Sequence, residues 1–209
     1  DFSTRVVVNC AGLYADRVVA MAGDTPPCRT LPFRGEYWRL RPEREHLVKH
    51  LIYPLPEPGF PFLGLHFTRR IGGGIDAGPN AVLAFAREGY DLRTIDVPEL
   101  FEAVTYPGLW RFAIRQRRMV VRELAQSFDR ARFVHALRRL VPDVRDQDLV
   151  PGGSGVRAQA VLPSGDFVHD FLWVESPGAV HVVNAPSPAA TASLVIGEAI
   201  AERAVAHLG

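Results

Sequence analysis

Residues 5–23, RVVVNCAGLYADRVVAMAG, decide the first step of the fold. The run 5–9 is β-branched and reads as a short buried strand. Cys10, Ala11 and Gly12 then make a tight turn. Beyond it Leu13, Val18, Val19, Met21 and Ala22 recur on a helical period, and Gly23 supplies a stop. The chain therefore opens strand, glycine turn, helix.

The pattern changes further along. The runs 36–40, 47–55, 60–71 and 75–85 are rich in aromatic and β-branched residues, and Pro or Gly turns separate them. They predict an antiparallel sheet. Gly72-Gly73-Gly74 joins two of these runs as a turn. It is no phosphate loop, because no helix pattern and no Lys-Ser/Thr follow. Segments 98–104, 109–121 and 123–140 carry helix-period apolar residues among many arginines, and Pro142 ends the block. The arginines there read as solvated helix faces. Strand signals return at 155–162, 170–174 and 179–184, and a last helix is predicted over 188–208. The fold class is α+β: an α/β part, residues 1–24 and 150–209, around an antiparallel-sheet and helix domain, residues 25–149.

Totals bound the function. A chain of 209 residues can bury one sizeable core or two small ones. A formal net charge of +1 provides no global field for nucleic acid or an anionic surface. Every Lys or Arg position except Lys49 is arginine, which leaves many planar forks for carboxylates. Cys10 and Cys28 are isolated and fit a reducing compartment, with a disulfide between them left open. No stretch reaches the ~18–20 apolar residues of a spanning helix, and no secretory signal opens the chain. The first residues, DFSTRVVVNC, lack Met and begin close to a strand, so a piece of a longer protein is expected.

Four places have the residue types for chemistry. In 184-NAPSPAATASLVIGEAI-200, Ser187 is suited to cap a helix and Pro188 to open it. Small Ala189 and Ala190 would leave the helix N-terminus open to an anionic group; a well-capped structural helix is the plain alternative. In 154-SGVRAQ-159, Arg157 lies inside an apolar strand and needs a partner. That partner is either a substrate carboxylate or a structural acid. In 62-FLGLHFTRR-70, His66 has a pKa range suited to a base, set against the ordinary role of a packed histidine. Arg34 and Asn80 stand at strand ends, where plain turn chemistry also accounts for them. Metal spacing is lacking, as are a GxSxG elbow and a GxGxxG turn after a strand.

Several long motifs occur together: PFRGEYWRL at 32–40, LIYPLPEPGFPFLGLHFTRRIGGGIDAGPNAVLAFAREGY at 51–90, SGVRAQAV at 154–161 and NAPSPAATASLVIGE at 184–198. With these, nearly the whole chain from Val7 onward resembles the C-terminal half of the L-2-hydroxyglutarate oxidase/dehydrogenase family. Its members are FAD-dependent enzymes of the amino-acid-oxidase and glycerol-3-phosphate-dehydrogenase type. The resemblance implies oxidation of L-2-hydroxyglutarate, or a similar 2-hydroxy acid, to 2-oxoglutarate. It implies FAD contacts from Asn9, Ala11 and Gly12 and from Asn184, Ala185, Pro186, Ser187, Pro188, Ala189, Ala190 and Thr191. It gives Arg157 the substrate carboxylate, makes His66 the candidate base, and assigns Arg34, Tyr53 and Asn80 to the distal carboxylate.

The resemblance also implies an incomplete FAD-dependent oxidoreductase fold, because the N-terminal dinucleotide-binding βαβ of the family is not in this sequence. The alternative is a truncated, non-catalytic module that binds a dicarboxylate or a partner. Oxygen, a quinone or another flavoprotein stay open as electron acceptor. The expected location is cytoplasmic, with peripheral contact to the inner membrane left open; no nucleic-acid partner is implied.

Overall fold

A computed structural model describes residues 3–55, 62–187 and 189–208. The chain divides into two compact units. The first comprises Asp1–Leu31, Phe101–Phe112 and Ala158–Gly209; the second comprises Pro32–Leu100 and Ala113–Arg157. The boundaries thus fall after Leu31 and Arg157 rather than after residues 24 and 149, and 101–112 join the first unit.

In the first unit, β1 (Val7–Asn9) leads through a 3-10 turn (Gly12–Tyr14) into α1 (Ala15–Met21), the predicted strand–turn–helix order. β1 pairs in parallel with β8 (Ala179–Asn184), and β8 pairs antiparallel with β7 (Leu172–Ser176), giving the order β1-β8-β7. β8 is central and buried at every position. β1 was expected to be buried, yet Val7 and Val8 are 47% and 43% exposed. Among the described residues β1 has β8 on one side and no strand on the other. Val19, Cys28, Ala160 and Val183 form the core here, with Leu162, Val168, Leu172 and Val174 packed against it. Asp16 ties α1 down by accepting the Thr30 N–H at 3.0 Å.

α6 (Ser193–Ala206) starts five residues later than predicted, and its N-cap position is Ala192, not Ser187. The chain turns first: the Ala189 N–H donates to the Pro186 carbonyl at 3.1 Å, which spends on a turn the donor that a helix start would leave free.

The second unit holds a sheet of order β3-β4-β2-β5. Its strands are β2 (Arg29–Leu40), β3 (His66–Arg69), β4 (Ile75–Gly78) and β5 (Val82–Leu83), and β6 (Leu149–Val161) also pairs with β2. The β3–β4, β2–β4 and β2–β5 pairs are antiparallel, as the sequence predicts. The expected strand over 47–55 is replaced by a 3-10 segment (Pro42–Leu47) and a single bridge, Ile52 to Phe67. The run 75–85 splits into β4 and β5 at Pro79, which has no N–H for a ladder.

The helical block is four helices: α2 (Val97–Val104), α3 (Pro107–Arg115), α4 (Arg117–Phe128) and α5 (Arg130–Arg138). The predicted helix over 123–140 breaks at Asp129, whose carboxylate caps α5 by accepting the Ala131 and Arg132 N–H groups. Phe133, Val134 and Leu137 of α5 pack with Leu40, Phe67, Ile75 and Ala77 in the main core of this unit. Both cysteines are free, Cys10 exposed and Cys28 buried. Among the described residues no helix is long and apolar enough to cross a membrane.

Candidate functional site

In the second unit the fold brings His66, Tyr53 and Arg157 together around an aromatic wall. His66 opens β3, and the Tyr53 ring stacks on its imidazole with centroids 4.5 Å apart and planes at 27°. Arg157 comes from β6, and its guanidinium lies over the Phe62 ring at 5.8 Å. Phe62 in turn packs against Phe33 at 5.3 Å. Sequence reading selected His66 and Arg157 separately, and the family resemblance added Tyr53; both missed Phe62, which stood out only as one aromatic among many.

The tautomer of His66 follows from its partner. Nδ1 lies 2.9 Å from the Gly64 carbonyl oxygen, which only accepts, so Nδ1 carries the hydrogen. In the neutral ring Nε2 then holds the lone pair. Burial pushes the imidazole below its ordinary value of 6.5. The Gly64 carbonyl opposes that shift, and the positive charge of Arg157 reinforces it. His66 is thereby kept unprotonated, as a base must be.

Arg157 is half-buried and makes no ion pair or hydrogen bond among the described residues. A half-buried guanidinium stacked on an aromatic face and without a carboxylate has the donor set for an incoming carboxylate. The structural acid that the sequence left open as its partner is not found among the described residues.

Arg34 and Asn80 have a different placement. Arg34 is 1% exposed. It donates to Glu36 Oε1 at 3.0 and 3.3 Å and to the Asp91 carbonyl at 2.9 Å. Asn80, also buried, donates to Glu36 Oε2 at 2.9 Å and accepts the Glu36 N–H at 2.8 Å. Ser127 adds a 2.6 Å bond to the same Oε2. Glu36 thus holds both side chains, with the Asp91 carbonyl also on Arg34, and this placement lends no support to the distal-carboxylate role expected of them. The sequence could not show this, because Glu36 meets Asn80 and Ser127 only through the sheet and α4.

The first unit carries the candidate cofactor turn. Cys10, Ala11 and Gly12 are exposed and small, and Gly12 has φ +55°. A methyl group added at Gly12 would meet no atom within 4 Å, so the backbone of the turn is open to approach by a ligand. Asn9 faces inward: it accepts the Ala11 N–H at 3.0 Å and donates to the Ala15 carbonyl at 2.9 Å.

In the second stretch Asn184 is structural, donating to the Val168 and Asp170 carbonyls at 3.2 and 2.7 Å. Ala185, Ser187, Ala190 and Thr191 are exposed, Pro186 and Ala189 are half-buried, and Pro188 lies outside the described residues. Ala192, at the N-cap position of α6, makes no side-chain cap. Both stretches present small residues and approachable backbone, which fits the edge of a flat, polar-rimmed cofactor such as a flavin. Among the described residues no cluster of His, Cys, Asp or Glu could hold a metal ion.

Comparison with known proteins points the same way. A family model described as FAD dependent oxidoreductase matches residues 1–203. The chain is 49% identical over 206 residues to L-2-hydroxyglutarate dehydrogenase of Indibacter alkaliphilus, covering 98% of this chain and 52% of that protein. It is 42% identical over 203 residues to the Escherichia coli K12 enzyme of the same name, covering 97% and 48%. With the mitochondrial mouse enzyme identity is 43% over 209 residues, covering 98% and 45%. The chain thus spans about half the length of the curated relatives it matches. Among solved structures, the L-alpha-glycerophosphate oxidase of Mycoplasma pneumoniae shares the fold, with a TM-score of 0.58 at 18% identity over 97% of this chain and 42% of that one. The chain belongs to the FAD dependent oxidoreductase family.

Proposed function

We propose that this chain is the substrate-handling part of an FAD-dependent enzyme that oxidises L-2-hydroxyglutarate, or a closely similar 2-hydroxy acid, to 2-oxoglutarate. The observation that carries this reading is Arg157, a half-buried guanidinium without an acidic partner among the described residues, beside a histidine held in the form of a base. The relatives at 42–49% identity supply the substrate class.

Arg157 binds the C1 carboxylate through its planar fork and fixes which face of C2 is presented. His66 Nε2 accepts the hydroxyl proton, while Nδ1 stays bonded to the Gly64 carbonyl and keeps the ring from rotating. Tyr53, stacked on His66, holds the imidazole plane and offers its hydroxyl to the distal carboxylate. Bound FAD supplies the acceptor for the hydride that leaves C2. Gly12 of the first turn, and Ser187 and Ala190 ahead of α6, offer backbone N–H groups to it. Oxygen, a quinone or another flavoprotein then takes the electrons.

The test uses the full-length protein with FAD, L-2-hydroxyglutarate and an artificial dye acceptor, and measures 2-oxoglutarate. Arg157→Lys replaces a fork by a point charge and is expected to raise KM by about tenfold or more. His66→Gln should abolish turnover with FAD still bound. Wild-type kinetics in both variants would overturn the proposal.

A further inference from the structure

A fully buried histidine of the first unit takes no part in that reaction. His181 of β8 is fully buried and lies in register with Asn9 at the end of β1. The two backbone partners of the Asn9 amide fix its orientation. Its Oδ1 faces an N–H, that of Ala11, and its Nδ2 faces a carbonyl, that of Ala15. The second N–H of Nδ2 is then left for His181 Nδ1, 3.0 Å away. Nδ1 must be an acceptor, so the neutral ring carries its hydrogen on Nε2. That atom lies 3.8 Å from Asp24 Oδ2, beyond hydrogen-bond reach, and neither atom has a hydrogen-bond partner among the described residues.

One side-chain amide thus joins the end of β1, the Cys10–Gly12 turn, the start of α1 and the centre of the sheet. Packing does little to hold this turn, since its residues are exposed and Gly12 has open space around its Cα. Hydrogen bonds to Asn9 define its shape, and His181 completes the set.

We propose that His181 is a positioning residue: the Nδ1 lone pair of its Nε2–H tautomer locks the Asn9 amide and so sets the Ala11–Gly12 backbone for the flavin. This rests on the cofactor role given to that turn above. Misplacement of the Asn9 amide would shift the Ala11 N–H that its Oδ1 holds, and with it the backbone offered to the cofactor.

The test compares two variants in the full-length protein. His181→Asn keeps an acceptor oxygen where Nδ1 sits, whereas His181→Gln places its amide near the Nε2 position and leaves Asn9 without an acceptor. FAD dissociation constants are read from flavin fluorescence, and the His181 tautomer of the wild type from imidazole 15N shifts. The expected result is about tenfold weaker FAD binding in His181→Gln, with His181→Asn within about twofold of wild type. Equal FAD binding by wild type and both variants overturns the role, and so does equal weakening in both, which marks general core damage. If His181→Gln fails to fold, the wild-type spectrum still decides: a hydrogen on Nδ1 overturns the role, and one on Nε2 together with wild-type-like FAD binding by His181→Asn supports it. A wild type that takes up no FAD overturns the functional reading itself.

Discussion

Glu36→Gln separates a structural network from a substrate site. Glu36 accepts two bonds from Arg34, one from Asn80 and one from Ser127. Arg34 is 1% exposed on its side chain and Glu36 is 25% exposed. Removing the charge leaves a buried guanidinium with only neutral acceptors, and places an amide donor against the donors of Asn80 and Ser127. Breaking a buried pair from one side costs about 3–5 kcal/mol. Partial exposure of Glu36 lets water take up some of that, so a loss of about 2–3 kcal/mol is expected. With a urea slope of about 1–3 kcal/mol per molar, the midpoint falls by about 1 M. The assay is urea unfolding in a background where every tryptophan but Trp38, Trp110 and Trp173 included, is replaced by Phe; Trp38 packs on Phe133 in the core of the second unit. A midpoint change below about 0.2 M together with a raised KM would refute the reasoning, because it would show that Arg34 is balanced by a substrate carboxylate rather than by Glu36.

Three further outcomes are expected. Burial first, and then the charge of Arg157, hold the His66 pKa below 6.5. The acid limb of kcat/KM that reports the base therefore lies below that value, and in Arg157→Met the His66 titration, followed by NMR, moves upward. By the same linkage the unfolded chain binds the His66 proton first as pH falls below 6.5, so this group's stabilisation is present above 6.5 and lost down to its folded pKa; a rise in stability over that acid window would contradict it. Cys28, whose thiol burial and then Asp16 push up to about 12, should resist iodoacetamide at pH 8, while exposed Cys10 reacts and becomes protected when FAD is bound. In Gly108→Ala the new methyl would collide with the Leu162 carbonyl and the Tyr106 ring, which a 2.8 Å bond to the Val161 carbonyl anchors. A loss of about 1–3 kcal/mol in thermal unfolding is expected, and an unchanged melting temperature would count against the packing described.

What could be read in the sequence was local. The opening strand–turn–helix followed from β-branched residues, a glycine and a 3.6-residue period, all within 19 residues of chain. The antiparallel sheet of the second unit followed from strand runs punctuated by Gly and Pro. His66 and Arg157 were separable as candidates because a histidine and an arginine in apolar strands are conspicuous; Tyr53 came only from the motif resemblance, which tied the three to one reaction. The start of α6 misled because Ser-Pro has the chemistry of a helix cap, yet the Ala189 N–H is spent on the Pro186 carbonyl and the helix begins only at Ser193.

The sequence by itself determined which segments alternate, where the turns fall and which side chains have the chemistry for the reaction. Only the tertiary structure decided which polar groups are already satisfied. Arg34 and Arg157 look alike in sequence, each an arginine in a strand. Glu36 and the Asp91 carbonyl accept from all three nitrogens of the Arg34 guanidinium, while Phe62 covers one face of Arg157 and no acid reaches it among the described residues. His181 gave no local signal either, since its partner lies 172 residues away in the chain and meets it only through strand pairing. A buried polar group must find a partner, and which partner is left to it depends on contacts that the chain order does not record.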